Sequence, residues 1–465
     1  MELYASEIDK PIPEFTAVVL AGPGVRLFPL SEPDNAPKAL NPIGSKPMIW
    51  YPLNWLESEG IQDILVVTVK RDENAISSYI HGVYEGSANI IVNSLDDFHG
   101  TAEALRQISH LIQTDFIVTS TDVILDIPHS QYLDLFRLYR PDASCILMQE
   151  LPSEGGGGCS RDDEVKRFYA VDQMTSNLVM IKDDSTEDEI LSVKMSLFKK
   201  HPSIFITNNM MDLHVYIFRN WVLDYLKNNP DIMSIGYDLI PKLVTMKRLP
   251  KADDLNYYRP SVSNYKLLNR YFDINFNHGN DSLNHINYRN TANDQSHSNE
   301  TDEDSRQIRV FAYIRRGGVG GRANTINRYC DLNKLVSRVY SGNKIGSLAE
   351  ISNKSQITSD SMVGISTKIM DRCQIKKSVI GAHCSIGNNV KLTNCVIHDY
   401  VVIQDNVKLE STVVCRQAKI GAKSQLKDCE IGPQASVQPN TNAKTEQFFR
   451  SNNELGTDGV QIKFT

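Results

Sequence analysis

Apolar residues are spaced along the chain in two rhythms. From Phe15 to about Leu151, short apolar bursts alternate with stretches of helical periodicity. "TAVVLAG" is followed by "PMIWYPLNWLESEG", "DILVVTVK" by "DENAISSYIHGVYEG", "NIIVN" by "TAEALRQISHLI", and "DFIVTSTD" by "YLDLFRLYR". Bursts bounded by turns, with helices between them, predict an α/β domain whose parallel sheet is covered on both faces. Sheets of that kind carry their sites at the carboxyl ends of the strands. The glycine loop after Leu20, and Asp122 after "FIVTST", both fall there.

From Ile345 the second rhythm takes over. Ile345, Ile351, Ile357, Val363, Ile369 and Ile375 are six apart. Five-residue steps then lead to Ile380, Ile386 and Leu392, to Ile397, Ile403 and Leu409, to Val414, Ile420 and Leu426, and to Ile431 and Val437. Two residues before nearly every one stands a small or β-branched residue, among them Ser361, Thr367, Cys373, Cys384, Cys395 and Cys429. Hexapeptides in threes predict a parallel β-helix, with aliphatic residues filling a prism and small ones fitting its corners. The residue just before each aliphatic position points outward by strand alternation. On one face these read Met362, Val379, Val396 and Val413, then Glu430. The other two faces carry Lys368, Ser385, Val402, Lys419 and Ser436, and Gln374, Lys391, Lys408 and Gln425. Valine suits strands anywhere, which does not explain the concentration of apolar outward residues on one face. Met362, Val379, Val396 and Val413 are therefore expected to form a partner interface.

Between the two rhythms, Asn275–Gln307 is mostly Asn, Asp, Ser and His, too polar to offset its own ordering entropy. The short apolar island "VFAYI" follows, then "RRGGVGGRAN" from Arg315, which prolongs the flexible character. That glycine run resembles a dinucleotide fingerprint, but no helix-like stretch follows it. The expected organisation is an α/β domain over 1–275, a disordered linker over 276–330, a β-helix over 331–440 and a tail over 441–465.

Composition narrows the function classes. A chain of 465 residues has room for two or three domains. A net charge of −7 does not favour a nucleic-acid surface. The absence of any long apolar stretch predicts no membrane span, and "MELYASEIDK" lacks the apolar core of a signal peptide. Eight cysteines, none in a C-x-x-C pair, argue against a zinc site and for a reducing, cytoplasmic setting. Cys373, Cys384, Cys395 and Cys429 take the small inward position of the repeat, where a thiol is packing.

The chemistry concentrates in "LAGPGVRLFPLSEPDNAPKALNPIGSKPMI", Leu20–Ile49, which reads like a phosphate cradle followed by a lysine clamp. Together with "GTAEAL" at Gly100–Leu105 and the hexapeptides, it resembles the sugar-phosphate nucleotidyltransferases that carry a left-handed β-helix. "PKALNPIGSKPMIWYPLNWLESEGI" and "SIGYDLIPKLV", Ser234–Val244, are more similar still to a non-catalytic branch, the gamma-type subunits of eukaryotic translation initiation factor 2B. The resemblance spans the chain except the linker and the extreme ends. It implies a nucleotidyltransferase-like domain with a Rossmann-like parallel sheet, followed by a left-handed parallel β-helix.

The same resemblance tests whether transfer chemistry survives. The enzymes' loop reads L-A-G-G-x-G-T-R-L, where this chain has Leu20-Ala21-Gly22-Pro23-Gly24-Val25-Arg26-Leu27. One residue is missing, and Pro23 has no N–H to offer an anion. Asp122 matches the strand-end aspartate that holds Mg²⁺ in the enzymes. Its usual W-x-D-x-G partner has no counterpart between Thr245 and Asn275, and the E-K-P lysine motif is absent from Tyr169–Ser185. His214 precedes Val215-Tyr216 where the enzymes place a sugar-facing glycine. Losses in cradle, metal pair, basic clamp and sugar pocket together predict no catalytic residue, no metal and no cofactor. Gly22, Gly24, Arg26, Lys38 and Asp122 remain as vestigial nucleotide-binding residues.

The implied partners are the related epsilon subunit, the other subunits of an assembly holding two copies of each of five, and initiation factor 2. Neither nucleic acid nor membrane is expected to bind directly. In that family GDP/GTP exchange resides in a C-terminal helical domain of epsilon, for which the roughly 28 residues after Val437 leave no room. The alternatives are an active Mg²⁺-dependent nucleotidyltransferase making a nucleotide sugar such as GDP-mannose, and an acyltransferase using His383 or His398.

Overall fold

The computed structural model describes residues 13–246 apart from 33–34, 97, 129, 150–165, 184–190 and 192, then 308–339, 342–450 and the backbone of 461–462. The polar tract up to residue 307, and the stretch Thr245–Asn275 beyond Met246, lie outside the described residues. The first body is a seven-stranded sheet. Its order is Val310–Arg315, Ala143–Gln149, Met210–Phe218, Asp115–Ser120, Phe15–Ala21, Asp63–Val69 and Asn89–Leu95. Pairing is parallel throughout except at Met210–Phe218, which runs against both neighbours.

Alternation along the strands splits the core into two layers. Val18, Leu20, Leu65, Val67, Phe116 and Val118 face the helices Thr101–Ile108 and Trp221–Asn228. Ala17, Val19, Ile64, Val66 and Ile117 face Trp50–Ser58, Glu73–Gly82 and Gln131–Tyr139. The two diagnostic stretches of the first domain meet on one side. "GTAEAL" opens its helix with Ala102 N–H donating to the Met233 carbonyl (2.9 Å), while Ile235 N–H donates to Thr101 Oγ1 (2.9 Å). In "SIGYD", Asp238 Oδ2 accepts from the N–H groups of Met233 and Ser234, which fixes the turn.

The reading of 276–330 as linker is corrected from residue 308 onward. Val310–Arg315 is an edge strand of the main sheet, parallel to Ala143–Gln149. Gly320–Arg322 pairs antiparallel with Val123–Leu125, and Ile326–Val339 is a helix. The apolar island was strand, and the glycine run led into a second one.

In the second body each short strand pairs in parallel with the strand one coil later, forming three sheets. The corners carry ordinary L-residues at positive φ, from Ser366 (54°) through His383, Tyr400 and Gln417 to Gln434 (57°). Inward residues from Val363 to Val437 stack into one apolar core with Cys373, Cys384, Cys395 and Cys429 among them. The coil does not end at 440. Ala443 and Phe448 continue the inward register, and Gln447–Phe448 pairs with Glu430–Ile431. At the opposite end Ile345 is 41% exposed, so the prism is open there.

Met362, Val379, Val396 and Val413 are only 3–5% exposed within this single chain. The helix Ile326–Val339 and Leu27, Leu30, Ile43 and Met48 of the first domain cover that side, packing with Val396 and Val413. The expectation that this face awaits a separate partner is corrected: the chain's own residues bury it. Polar contacts fix the seat. Tyr329 Oη donates to the Pro42 carbonyl (2.5 Å) and meets His398 Nε2 (3.0 Å), and Gly44 N–H donates to Asn333 Oδ1 (2.9 Å).

Candidate functional site

The loop and strand end predicted to face a nucleotide do converge. Asp115–Ser120 delivers Asp122 one turn beyond its end, beside the loop that follows Phe15–Ala21. Gly24 adopts φ +72°, and a Cβ there would lie 2.6 Å from Lys38 Cδ. Only glycine lets the loop close down on that lysine. Lys38 Nζ then reaches Asp122 Oδ2 at 2.7 Å. Arg26 lies close enough to act on Lys38 electrostatically, with its own side chain exposed.

Asp122 has no exposed side-chain surface, and its carboxylate is fully engaged. Arg322 Nε donates to both oxygens, at 3.3 Å to Oδ1 and 3.2 Å to Oδ2, while Ser120 Oγ donates to Oδ1. Burial alone would raise the Asp122 carboxyl. Arg322 and Lys38 overcome it and hold the group well below the usual carboxylate range. Burial pulls the Lys38 ammonium down, and Asp122 opposes that pull. The cluster is an internal ion triad rather than a titrating acid–base pair.

Beside it lies the region of the enzymes' sugar pocket. His214 takes φ +54° where the pairing of Met210–Phe218 with Ala143–Gln149 is irregular. Its N–H donates to Asp212 Oδ1 (2.9 Å), and Tyr216 Oη donates to Asp212 Oδ2 (2.6 Å). Gly236 is pressed against this group: a Cβ there would lie 2.8 Å from Tyr216 Oη and 3.3 Å from His214 Nε2. Burial, then Arg322, pushes the His214 imidazole well below its ordinary value, so it stays neutral. Asp212, His214, Tyr216 and Gly236 fill that space with protein groups.

These residues do not fit Mg²⁺. A magnesium ion needs carboxylate oxygens at about 2.0–2.1 Å in near-octahedral array, and both Asp122 oxygens already hold donors. Among the described residues no cluster of three or more His, Cys, Asp or Glu side chains could hold a metal. His398, proposed for acyl transfer, is buried against Tyr329, with burial lowering it to about 4. His383 stacks on Tyr400 with ring centroids 5.0 Å apart.

Gly22, Gly24, Arg26 and Lys38 stand out in the loop pattern, and Asp122 in its place after the strand burst "FIVTST". Arg322 and Asp212 do not. Arg322 lay in a glycine run read as flexible, and the signal that points to it is the strand-like "VFAYI" just before. Asp212 sat two residues from the His214 that drew attention.

Fold and site together define a nucleotidyl transferase domain joined to a β-helix. Residues 16–256 match the nucleotidyl transferase family, and residues 337–443 match the family described as EIF2B subunit epsilon LbH domain. The translation initiation factor eIF2B subunit gamma of Schizosaccharomyces pombe is 34% identical over 440 residues, which is 94% of this chain and 90% of that one. Its counterpart in Dictyostelium discoideum is 26% identical over 411 residues, 80% of this chain and 88% of the relative. The S. pombe subunit epsilon is 25% identical over 255 residues, 53% of this chain and 37% of the relative. The chain belongs to the family of eIF2B gamma subunits. Among its described residues no helix is long and apolar enough to cross a membrane.

Proposed function

We propose that the chain works as a gamma-type subunit of eIF2B in the cytosol and contributes a folded scaffold rather than transfer chemistry. Its partners are an epsilon-type subunit and the remaining subunits of the factor, and its role is to support GDP/GTP exchange on initiation factor 2. The observation that carries the non-catalytic part is the closed Asp122 carboxylate, which Lys38, Arg322 and Ser120 saturate. The partner assignment is supported by the relatives, which include both gamma and epsilon subunits.

The test is direct. Purified chain incubated with each nucleoside triphosphate, a panel of hexose 1-phosphates and Mg²⁺ should release no pyrophosphate above background. Enzyme-like turnover would overturn the reading in favour of an active nucleotidyltransferase. Co-expression with an epsilon-type subunit should give a complex that co-purifies through size exclusion. Chains that elute separately would remove the partner assignment.

Gly22, Gly24, Arg26, Lys38 and Asp122 keep a second reading, as the place where a nucleotide rests uncleaved as a regulatory ligand. A Cβ on Gly22 would meet nothing within 4 Å, so there is room beside the loop. A fluorescent GDP analogue whose binding is unchanged by Arg26→Ala would remove these residues from that role.

A further inference from the structure

The ion triad suggests what became of the metal. We propose that Arg322 occupies, as a side chain, the position a divalent cation needs beside Asp122, so that this strand end is built to hold its charge without metal. The inference rests on the reading that the site does not transfer nucleotides, and it names the residue responsible.

Three observations converge on Arg322. Its Nε straddles the carboxylate, within 3.3 Å of one oxygen and 3.2 Å of the other, on the edge a bidentate cation would use. Its backbone is anchored beside Asp122. Gly320–Arg322 pairs with Val123–Leu125, with Arg322 opposite Val123, and Ala323 N–H donates to the Asp122 carbonyl at 2.8 Å. Held on a strand ladder with its side chain only 18% exposed, Arg322 has less freedom to swing aside for an incoming ion than a surface arginine. The third observation is the surrounding charge. Lys38 Nζ lies 2.7 Å from Asp122 Oδ2, and Arg26 acts on Lys38. A dication entering there would meet the like charge of Lys38, Arg26 and Arg322.

The test is a double-mutant cycle in the full chain: Asp122→Asn, Arg322→Gln and the two combined, followed by melting temperature and by Mn²⁺ binding in electron paramagnetic resonance. Asp122→Asn alone should lower the melting temperature by about 5 °C or more, because two cations lose their shared counter-ion. Arg322→Gln alone should cost less, since Lys38 still neutralises Asp122. The double variant should recover at least half of the Asp122→Asn loss. Wild type should bind no more Mn²⁺ than the double variant does. Losses that simply add, or a Mn²⁺ site present in wild type and gone from the double variant, would overturn the proposal. Pyrophosphate release in the transfer assay would instead refute the functional reading, a separate result from a different measurement.

Discussion

Two surfaces of this molecule are closed by the same short segment, residues 308–339, in opposite chemical currencies. At the strand end, Arg322 closes a carboxylate by charge and hydrogen bonding. On the prism, the helix Ile326–Val339, together with Leu27, Leu30, Ile43 and Met48 of the first domain, packs on Val396 and Val413, and the whole outward column from Met362 to Val413 is buried. Apolar closure tolerates many shapes, since burial is worth about 1.5–3 kcal/mol per large side chain whatever its neighbour. Ionic closure is specific: removing one partner leaves the other buried and uncompensated. The same contrast explains what a sequence can reveal. A valine column states that something covers it without saying what, whereas a strand-end aspartate invites a cation without saying which.

The comparison can be broken most forcefully at the prism. Val396→Asp should destabilise the isolated chain by about 4 kcal/mol or more, read as a shift in the urea midpoint, because a bare carboxylate would face Tyr329 and Leu332 in a dry seam. An unchanged midpoint, with only subunit association affected, would restore the view of this face as a partner surface.

Next in size is Glu430, which ends the apolar column. It is 1% exposed; Gln447 Nε2 donates to its Oε2 (2.8 Å), and its Oε1 has no hydrogen-bond partner among the described residues. Burial pushes it up to about 7 from an ordinary 4.5, against the opposing pull of Gln447. The folded state therefore holds the proton more tightly than the unfolded chain. Stability is intact below about pH 4.5, falls as pH rises toward 7 and is level above it. Glu430→Gln should accordingly gain about 2–3 kcal/mol at pH 8 and nothing at pH 4.5, measured by denaturation at both values. An equal effect at the two pH values would show that the carboxylate does not titrate in the fold.

Tyr329→Phe removes the hydroxyl shared between Pro42 and His398 and should cost about 1–2 kcal/mol in the same denaturation experiment. Smallest is Val402→Asp on a neighbouring face, 39% exposed, which should change stability by no more than about 0.5 kcal/mol. A large loss there would mean that the faces do not differ in the way the seam implies.

The β-helix was readable because its pattern is local: each coil repeats the same inward, outward and corner roles. It was lost at Ala443 and Phe448, where one inward residue is too small and the other aromatic, so an aliphatic criterion stopped one turn early. The α/β sheet was readable from its strand bursts, apart from the antiparallel strand Met210–Phe218, which lies beyond the alternating stretch, and the edge strand Val310–Arg315, whose company of polar and glycine residues hid it. Lys38 was found because the loop motif carries it, and Asp122 because it follows a strand burst. Arg322 stands 200 residues from Asp122 and reaches it through strand pairing; the apolar island before it hints at a strand but not at its partner.

That separation changes where the molecule comes apart. The polar tract before residue 308 reads like a natural seam, yet the piece beyond it supplies the outer strand of the first sheet, the guanidinium at its edge and the helix under the prism. A single cut between residues 247 and 307 would thus yield two fragments that remain laced together. The chain's two bodies are divided in space by one boundary and in sequence by another.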